Sequence, residues 1–178
     1  NTINGETIYY YGGLYDSPAC PGEHVGDAGE INLIECNVNT IRGAVVHGPI
    51  FIYNVSFLVI DNITAQARGP EDAAAFGIYG AAANIILNRS SFSSFTSFRN
   101  TAFVTEVPIN DFFVANNMFN VADGIGFGLV FDAEPFGGGI RNARILENTF
   151  FGNNTDDVVR LDGDGIVFLR VHARRHKV

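Results

Sequence analysis

The sequence predicts an all-β chain wound as a parallel β-solenoid of about six coils. Three observations predict it. A short phrase recurs along the chain: an apolar residue, two residues, Asn, one residue, then Phe or a small residue. The residues on either side of each phrase alternate apolar and polar with period two, the strand period and not the helical one. The composition is rich in Gly (20) and Phe (16), has no Trp and lacks long helix-forming runs, which suits short strands joined by tight turns.

The phrases follow in order. They occur at Ile34-Asn37-Asn39, Val59-Asn62-Thr64, Leu87-Ser90-Phe92, Val114-Asn117-Phe119 and Ile145-Asn148-Phe150, with a degenerate copy at Val167-Arg170-His172. The Asn position returns every 22–31 residues or so, with Ser90 and Arg170 as substitutes. Before it stand the apolar pairs Phe57/Val59, Ile85/Leu87, Phe112/Val114 and Ala143/Ile145; after a turn, Ile125, Phe127, Leu129 and Phe131 alternate in the same way. A unit this short cannot bury its own apolar face, so it stacks on its neighbours about 4.8 Å away. Equivalent positions then form columns: amides that donate and accept along the stack, and Phe rings filling the interior. The chain divides into an N-terminal cap or first coil at 1–29, stacked coils at 30–171 and a basic tail at 172–178.

Composition limits the remaining classes. With 178 residues, 47% hydrophobic and 17% charged, the chain is long enough and apolar enough for one folded domain. Its net charge is -8, although RVHARRHKV at the end holds four of the eleven cations, so nucleic acid is not the expected partner. No apolar run is long enough for a transmembrane helix. The chain opens on Asn1, as a mature or trimmed form does, and an extracellular or cell- or virion-surface location is expected. Cys20 and Cys36 form either a disulfide, in an exported protein, or two buried thiols.

The VANNMF and ILENTF bends and their paired strands resemble right-handed parallel β-helices of the pectin-lyase-like superfamily, over about residues 30–170. The resemblance implies the handedness of the winding. It also implies what acids on outward columns do: calcium ligands in the lyases, or an acid/base pair in the hydrolases.

Such acids are present. Aligning Leu129 with Val159 and Phe131 with Leu161 places Asp132 over Asp162 and Glu134 over Asp164; a backward step sets Phe131 over Phe103 and Glu134 over Glu106. The resulting grid of Glu106, Asp132, Glu134, Asp162 and Asp164 needs a cation such as calcium, a retained proton or splaying into water. Arg160 shares a face with Asp162 and is a candidate lyase base. Asp132, Glu134, Asp162, Asp164 and Arg160 are therefore the catalytic candidates, and the five acids the calcium candidates. The plainer reading is turn chemistry at strand ends, in Asp162-Gly-Asp-Gly165 and Glu134-Pro135. Asn154-Thr-Asp-Asp157 matches fragments of polygalacturonase motifs, but their Gly-His-Gly and Arg-Ile-Lys partners are missing, and Lys177 is the single Lys.

Other residues read as structural. His24 and His47 lie far in sequence from the acids. Tyr9, Tyr10, Tyr11 and Tyr15 either cap the stack or bind sugar rings. Ser90–Ser97 has no His/Asp motif beside it, and Gly137–Gly139 reads as a turn. Of the sequons, Asn54, Asn88 and Asn153 are open to glycan, while Asn62 is expected to face inward in the ladder.

The function expected is an extracellular, non-catalytic solenoid: a structural, self-assembling or adhesive surface protein, joined through open coil ends and able to contact polysaccharide. The alternatives are a polysaccharide lyase or glycoside hydrolase on the acidic patch, and a calcium-dependent carbohydrate-binding module.

Overall fold

A computed structural model describes residues 1–3, 5–12, 20, 22–67, 75–94, 103–105, 109–121, 129–131, 142–152, 159–161, 167–169 and 172–175. Among these the chain is all-β, with no helix. One strand pair is antiparallel: β1 (Thr2–Ile3) against β2 (Glu6–Gly12). The other pairings are parallel, in a 13-stranded and a 6-stranded sheet.

The larger sheet follows a path from β2 through β4 (Glu30–Ile34), β7 (Ile50–Asp61), β9 (Phe76–Asn88), β11 (Phe103–Thr105) and β14 (Leu129–Phe131) to β17 (Val159–Leu161). The long strands β7 and β9 carry on into a second line. There they pair with β5 (Asn37–Arg42) and β12 (Ile109–Ala115), which lead to β3 (Glu23–Val25) and to β15 (Arg144–Leu146) and β18 (Val167–Leu169). The smaller sheet stacks β6 (Val45–Val46), β8 (Thr64–Ala67), β10 (Ser91–Ser94), β13 (Met118–Val121), β16 (Thr149–Gly152) and β19 (His172–Arg175). Parallel neighbours need a long crossover between them. From β4 onward, a strand of the smaller sheet falls in chain order between successive strands of the larger sheet's main path, so strands one repeat apart become neighbours.

One corner explains the recurring Asn. Arg42, Asp61, Asn88, Ala115 and Leu146 share a register column. The residue after each has a left-handed backbone: Gly43 (φ 60°), Asn62 (52°), Arg89 (48°), Asn116 (55°) and Glu147 (51°). This region is open to Gly and eased for Asn by local side-chain hydrogen bonding. Backbone bonds tie the corners together: the N–H groups of Gly43, Asn62, Arg89 and Asn116 donate to the carbonyls of Asp61, Asn88, Ala115 and Leu146 at 3.1–3.2 Å.

The next position turns inward and holds the amide ladder. Asn117 and Asn148 are buried. Asn117 Oδ1 accepts from the Ser90 N–H at 2.9 Å, and Asn148 Oδ1 from the Asn117 N–H at 2.9 Å. Their Nδ2 groups donate to the Leu87 and Val114 carbonyls at 2.9 and 2.8 Å. Ser90 Oγ stands in one repeat earlier, accepting from the Ile63 N–H at 3.3 Å and donating to the Asn88 carbonyl at 2.8 Å.

The expected ladder is corrected in its first two repeats. The registers place Ile63, not Asn62, at the ladder position. Asn62 is exposed at the corner. In the first repeat, Asn37 pairs with Ser56 and Asn39 with Leu58, on the flat strand rather than at the bend. A shift of one residue moves a strand's side chains to the opposite face. Accordingly Leu58 and Ile60 fill the core, while Phe57, expected inside, is 55% exposed.

Inward columns supply the packing. Leu58, Ile85, Phe112 and Ala143 form one, and Ile60, Leu87, Val114 and Ile145 the next; all eight are buried. Phe92, Phe119 and Phe150 form the expected ring column, with centroids 5.4 and 5.0 Å apart and planes within 17° and 11°. Phe76 meets Phe92 edge-on. Each fully buried Phe stabilises the fold by about 1.5–3 kcal/mol. Toward the N-terminus the same column carries the smaller side chains of Ala65 and Val46.

Cys20 and Cys36 are joined by a disulfide. Tyr9, Tyr11 and Cys20 pack against the core, while Tyr10 is exposed. His172–Arg175, expected in the basic tail at 172–178, instead pair in parallel with Thr149–Gly152.

Candidate functional site

Glu106, Asp132, Glu134, Asp162 and Asp164 lie outside the described residues, as do Asn153, Tyr15 and Gly137–Gly139. The strands that lead to the acids are described. Leu129 pairs with Val159 and Phe131 with Leu161, as the sequence suggests, and Arg160 pairs with Val130. The backward step is corrected: Phe131 sits in register with Thr105, and Phe103 with Phe76. The difference from the expected alignment is two residues, so the face is kept and the partner changes. Among the described residues no group of His, Cys, Asp and Glu is placed to hold a metal.

Two outward polar columns carry the chemistry that the described residues offer. The first follows the corner. Arg89 holds Asp61 with two bonds, one of them Nε to Oδ1 at 2.9 Å. Asn88 Nδ2 donates to the same Oδ1 at 3.1 Å, and Asn116 Nδ2 donates to Asn88 Oδ1 at 3.4 Å. The Arg89 hydrogen bond is the main reason the Asp61 carboxyl is held below the usual carboxylate range, with Asn88 and Arg42 adding to it against a burial effect of opposite sign. Arg42 in turn pairs with Glu23 one repeat earlier. A groove of about 760 Å³ runs beside this edge; Asn62, Arg89, Asn116 and Glu147 line one side and Thr64, Ser91, Met118 and Thr149 the other.

The second column marks a kink halfway along the second line of the larger sheet. Phe57, Asn84, Asp111 and Asn142 all have φ between 55° and 57° there. Asn142 Nδ2 donates to Asp111 Oδ1 at 3.0 Å. Two residues on, Ile86, Phe113 and Arg144 stand side by side on the same outer face.

A third cluster joins β2 and β3. His24 is buried between Tyr9, whose ring meets it edge-on at 4.7 Å, and Tyr11. Its Nε2 lies 3.2 Å from the Gly26 carbonyl, which only accepts, so Nε2 carries the proton and Nδ1 accepts from the Tyr11 hydroxyl at 3.0 Å. Burial pushes the His24 pKa down and the Tyr11 pKa up. Both ring nitrogens are engaged within the protein, in keeping with a structural His24.

Compared with known protein families, with curated proteins and with solved structures, the chain matches none. The outward columns are the chemistry that the described residues present. The sequence reading missed them because it followed the inward Asn of each repeat. The signal was one residue away, in Asn62, Arg89, Asn116 and Glu147, and again in Asn84-x-Ile86, Asp111-x-Phe113 and Asn142-x-Arg144.

Proposed function

We propose that the chain is an extracellular, non-catalytic right-handed parallel β-helix of the pectin-lyase-like kind, serving as a structural or adhesive surface protein. The observation that carries this reading is where its outer polar side chains point. Arg42 to Glu23, Ser56 to Asn37, Arg89 and Asn88 to Asp61, Asn116 to Asn88 and Asn142 to Asp111 each join one repeat to the next. These groups bond to one another from repeat to repeat and staple the stack, the arrangement of a structural surface more than of a reacting centre.

Two further features support it. The disulfide suits an oxidising compartment. A stack of parallel strands presents an unpaired edge at its ends, and such an edge favours association with further strands.

Light scattering with calcium, and again with EDTA, tests the reading beside an activity panel on polyuronates and neutral polysaccharides. Ordered assemblies without turnover are the expected result. Turnover that is lost on replacing Asp132, Glu134, Asp162, Asp164 or Arg160 would replace it with an enzyme on the acidic patch. A monomer whose stability follows calcium would replace it with a calcium-dependent binding module built on Glu106 and those acids.

A further inference from the structure

Three sequons lie among the described residues, Asn54-Val-Ser56, Asn62-Ile-Thr64 and Asn88-Arg-Ser90, and the fold treats them differently. The acceptor in such a sequence is the Asn amide together with the hydroxyl two residues on, and the glycan it receives belongs on the surface. At Asn88 both groups are committed. Asn88 Nδ2 donates to Asp61 Oδ1 at 3.1 Å, and Ser90, 3% exposed, holds its hydroxyl in the ladder between the Ile63 N–H and the Asn88 carbonyl. At Asn54 the hydroxyl is committed, because Ser56 Oγ donates to Asn37 Oδ1. At Asn62 neither group is. Asn62 is exposed and Thr64 half-buried, and neither side chain forms a hydrogen bond among the described residues. This reverses the expectation drawn from the inward phrase, in which Asn88 was open and Asn62 was not.

We propose that Asn62 is a site of N-linked glycosylation. The proposal rests on the extracellular reading, since the transfer takes place in the secretory pathway. The donor is a lipid-linked oligosaccharide diphosphate. A bond forms between Asn62 Nδ2 and the anomeric carbon, the bond from that carbon to phosphate breaks, the lipid diphosphate leaves with the bonding pair, and the amide releases one proton. The folded corner has room for the product. The preceding residue in the corner column is Gly43, where an added Cβ would meet no heavy atom within 4 Å. The following one, Arg89, is held by Asp61. Asn62 and Thr64 line opposite sides of the groove of about 760 Å³, which the first sugar can enter. Val45, in register with Thr64 and 37% exposed, offers an apolar shelf to the C–H face of that sugar. The Asn62 N–H keeps its bond to the Asn88 carbonyl at 3.1 Å, because only the side chain is altered. Modification of Asn62 therefore breaks no hydrogen bond that the described residues make along the stack, whereas a glycan on Asn88 would be built into the bonds around Asp61.

The test is secretion of the whole chain from cultured animal cells, with peptide mapping before and after treatment with peptide N-glycanase. In the secreted protein the Asn62 peptide is expected to carry glycan and to convert to its aspartate form on release, while the Asn88 peptide stays unmodified. Asn62→Asp and Thr64→Ala each remove the acceptor, and each should lower the intact mass by one glycan. Asp suits the left-handed backbone, and Thr64→Ala leaves Asn62 itself in place, so a loss shared by both variants belongs to the acceptor and not to a disturbed corner. The proposal is overturned if Asn62 is bare in the secreted protein, if Asn88 is glycosylated in its place, or if the intact mass is unchanged in both variants. Because the host supplies the secretory route, a bare Asn62 overturns the site alone. Turnover of a polysaccharide or a calcium-dependent monomer would overturn the structural reading and leave the peptide map as it is.

Discussion

Asn117 donates its side-chain N–H to Oδ1 of Asn148 at 3.1 Å, across the boundary between two repeats. The same oxygen also takes the backbone N–H of Asn117. One amide thus satisfies two buried donors of its neighbour, and its own Nδ2 is satisfied by Val114.

Replacing Asn148 with Leu should therefore destabilise the fold. The Asn117 N–H loses its acceptor in a dry interior, a cost of roughly 1–3 kcal/mol. Urea denaturation reads this as a lower midpoint with an unchanged slope. An unchanged midpoint would remove the ladder from the account of stability.

Asn39 makes the opposite case. It is 2% exposed, and neither amide atom has a hydrogen-bond partner. Its register neighbour is Leu58. Asn39→Leu should extend that apolar column and raise stability by about 1–3 kcal/mol, the usual cost of an unmatched buried amide. Thermal melting of the variant beside the parent decides it, and a lower melting temperature would refute it.

The disulfide closes a loop with a sequence separation of 16. A loop near 15 residues corresponds to about 3 kcal/mol of restricted unfolded chain. Melting with and without reductant should differ accordingly, and the Cys20→Ala, Cys36→Ala double variant should melt with the reduced parent and ignore reductant.

His24 sets an acid limit on the N-terminal end. Burial lowers its pKa from the ordinary 6.5, so the folded state takes up its proton later than the unfolded chain does. Stability is then full above about pH 6.5 and falls as the pH drops through that value toward the folded pKa. Protonation also removes the acceptor of the Tyr11 hydroxyl. Unfolding free energy measured from pH 7.5 to 5 should decline, and the decline should shrink in a His24→Leu, Tyr11→Phe variant. An equal decline in that variant would assign the acid sensitivity elsewhere.

Much of this fold was legible because the later repeats keep their phrase intact. Asn117-x-Phe119 and Asn148-x-Phe150 give both the ladder and the ring column in correct register. The earlier repeats misled for a physical reason. At the corner, two adjacent positions both favour Asn: one because its backbone is left-handed, the other because it must hydrogen-bond inward. Asn116-Asn117 fills both; Asn62-Ile63 fills only the first, so the recurring phrase by itself points its Asn to the second. The second outward column and its neighbours were harder to see. Asn84, Asp111 and Asn142 are alike in backbone but Ile86, Phe113 and Arg144 share no chemistry, and only the register reveals them as a row.

The ladder also has a direction. Ser90 waits for an oxygen from Asn117, and Asn117 waits for one from Asn148. Each repeat is completed by the one synthesised after it. On the ribosome, where N-terminal segments emerge first, the growing end of the stack would always carry one unanswered N–H, and every new repeat would arrive at a template already holding its binding partner. Folding in step with synthesis would then be vectorial, closer to the elongation of a polymer than to the collapse of a globule.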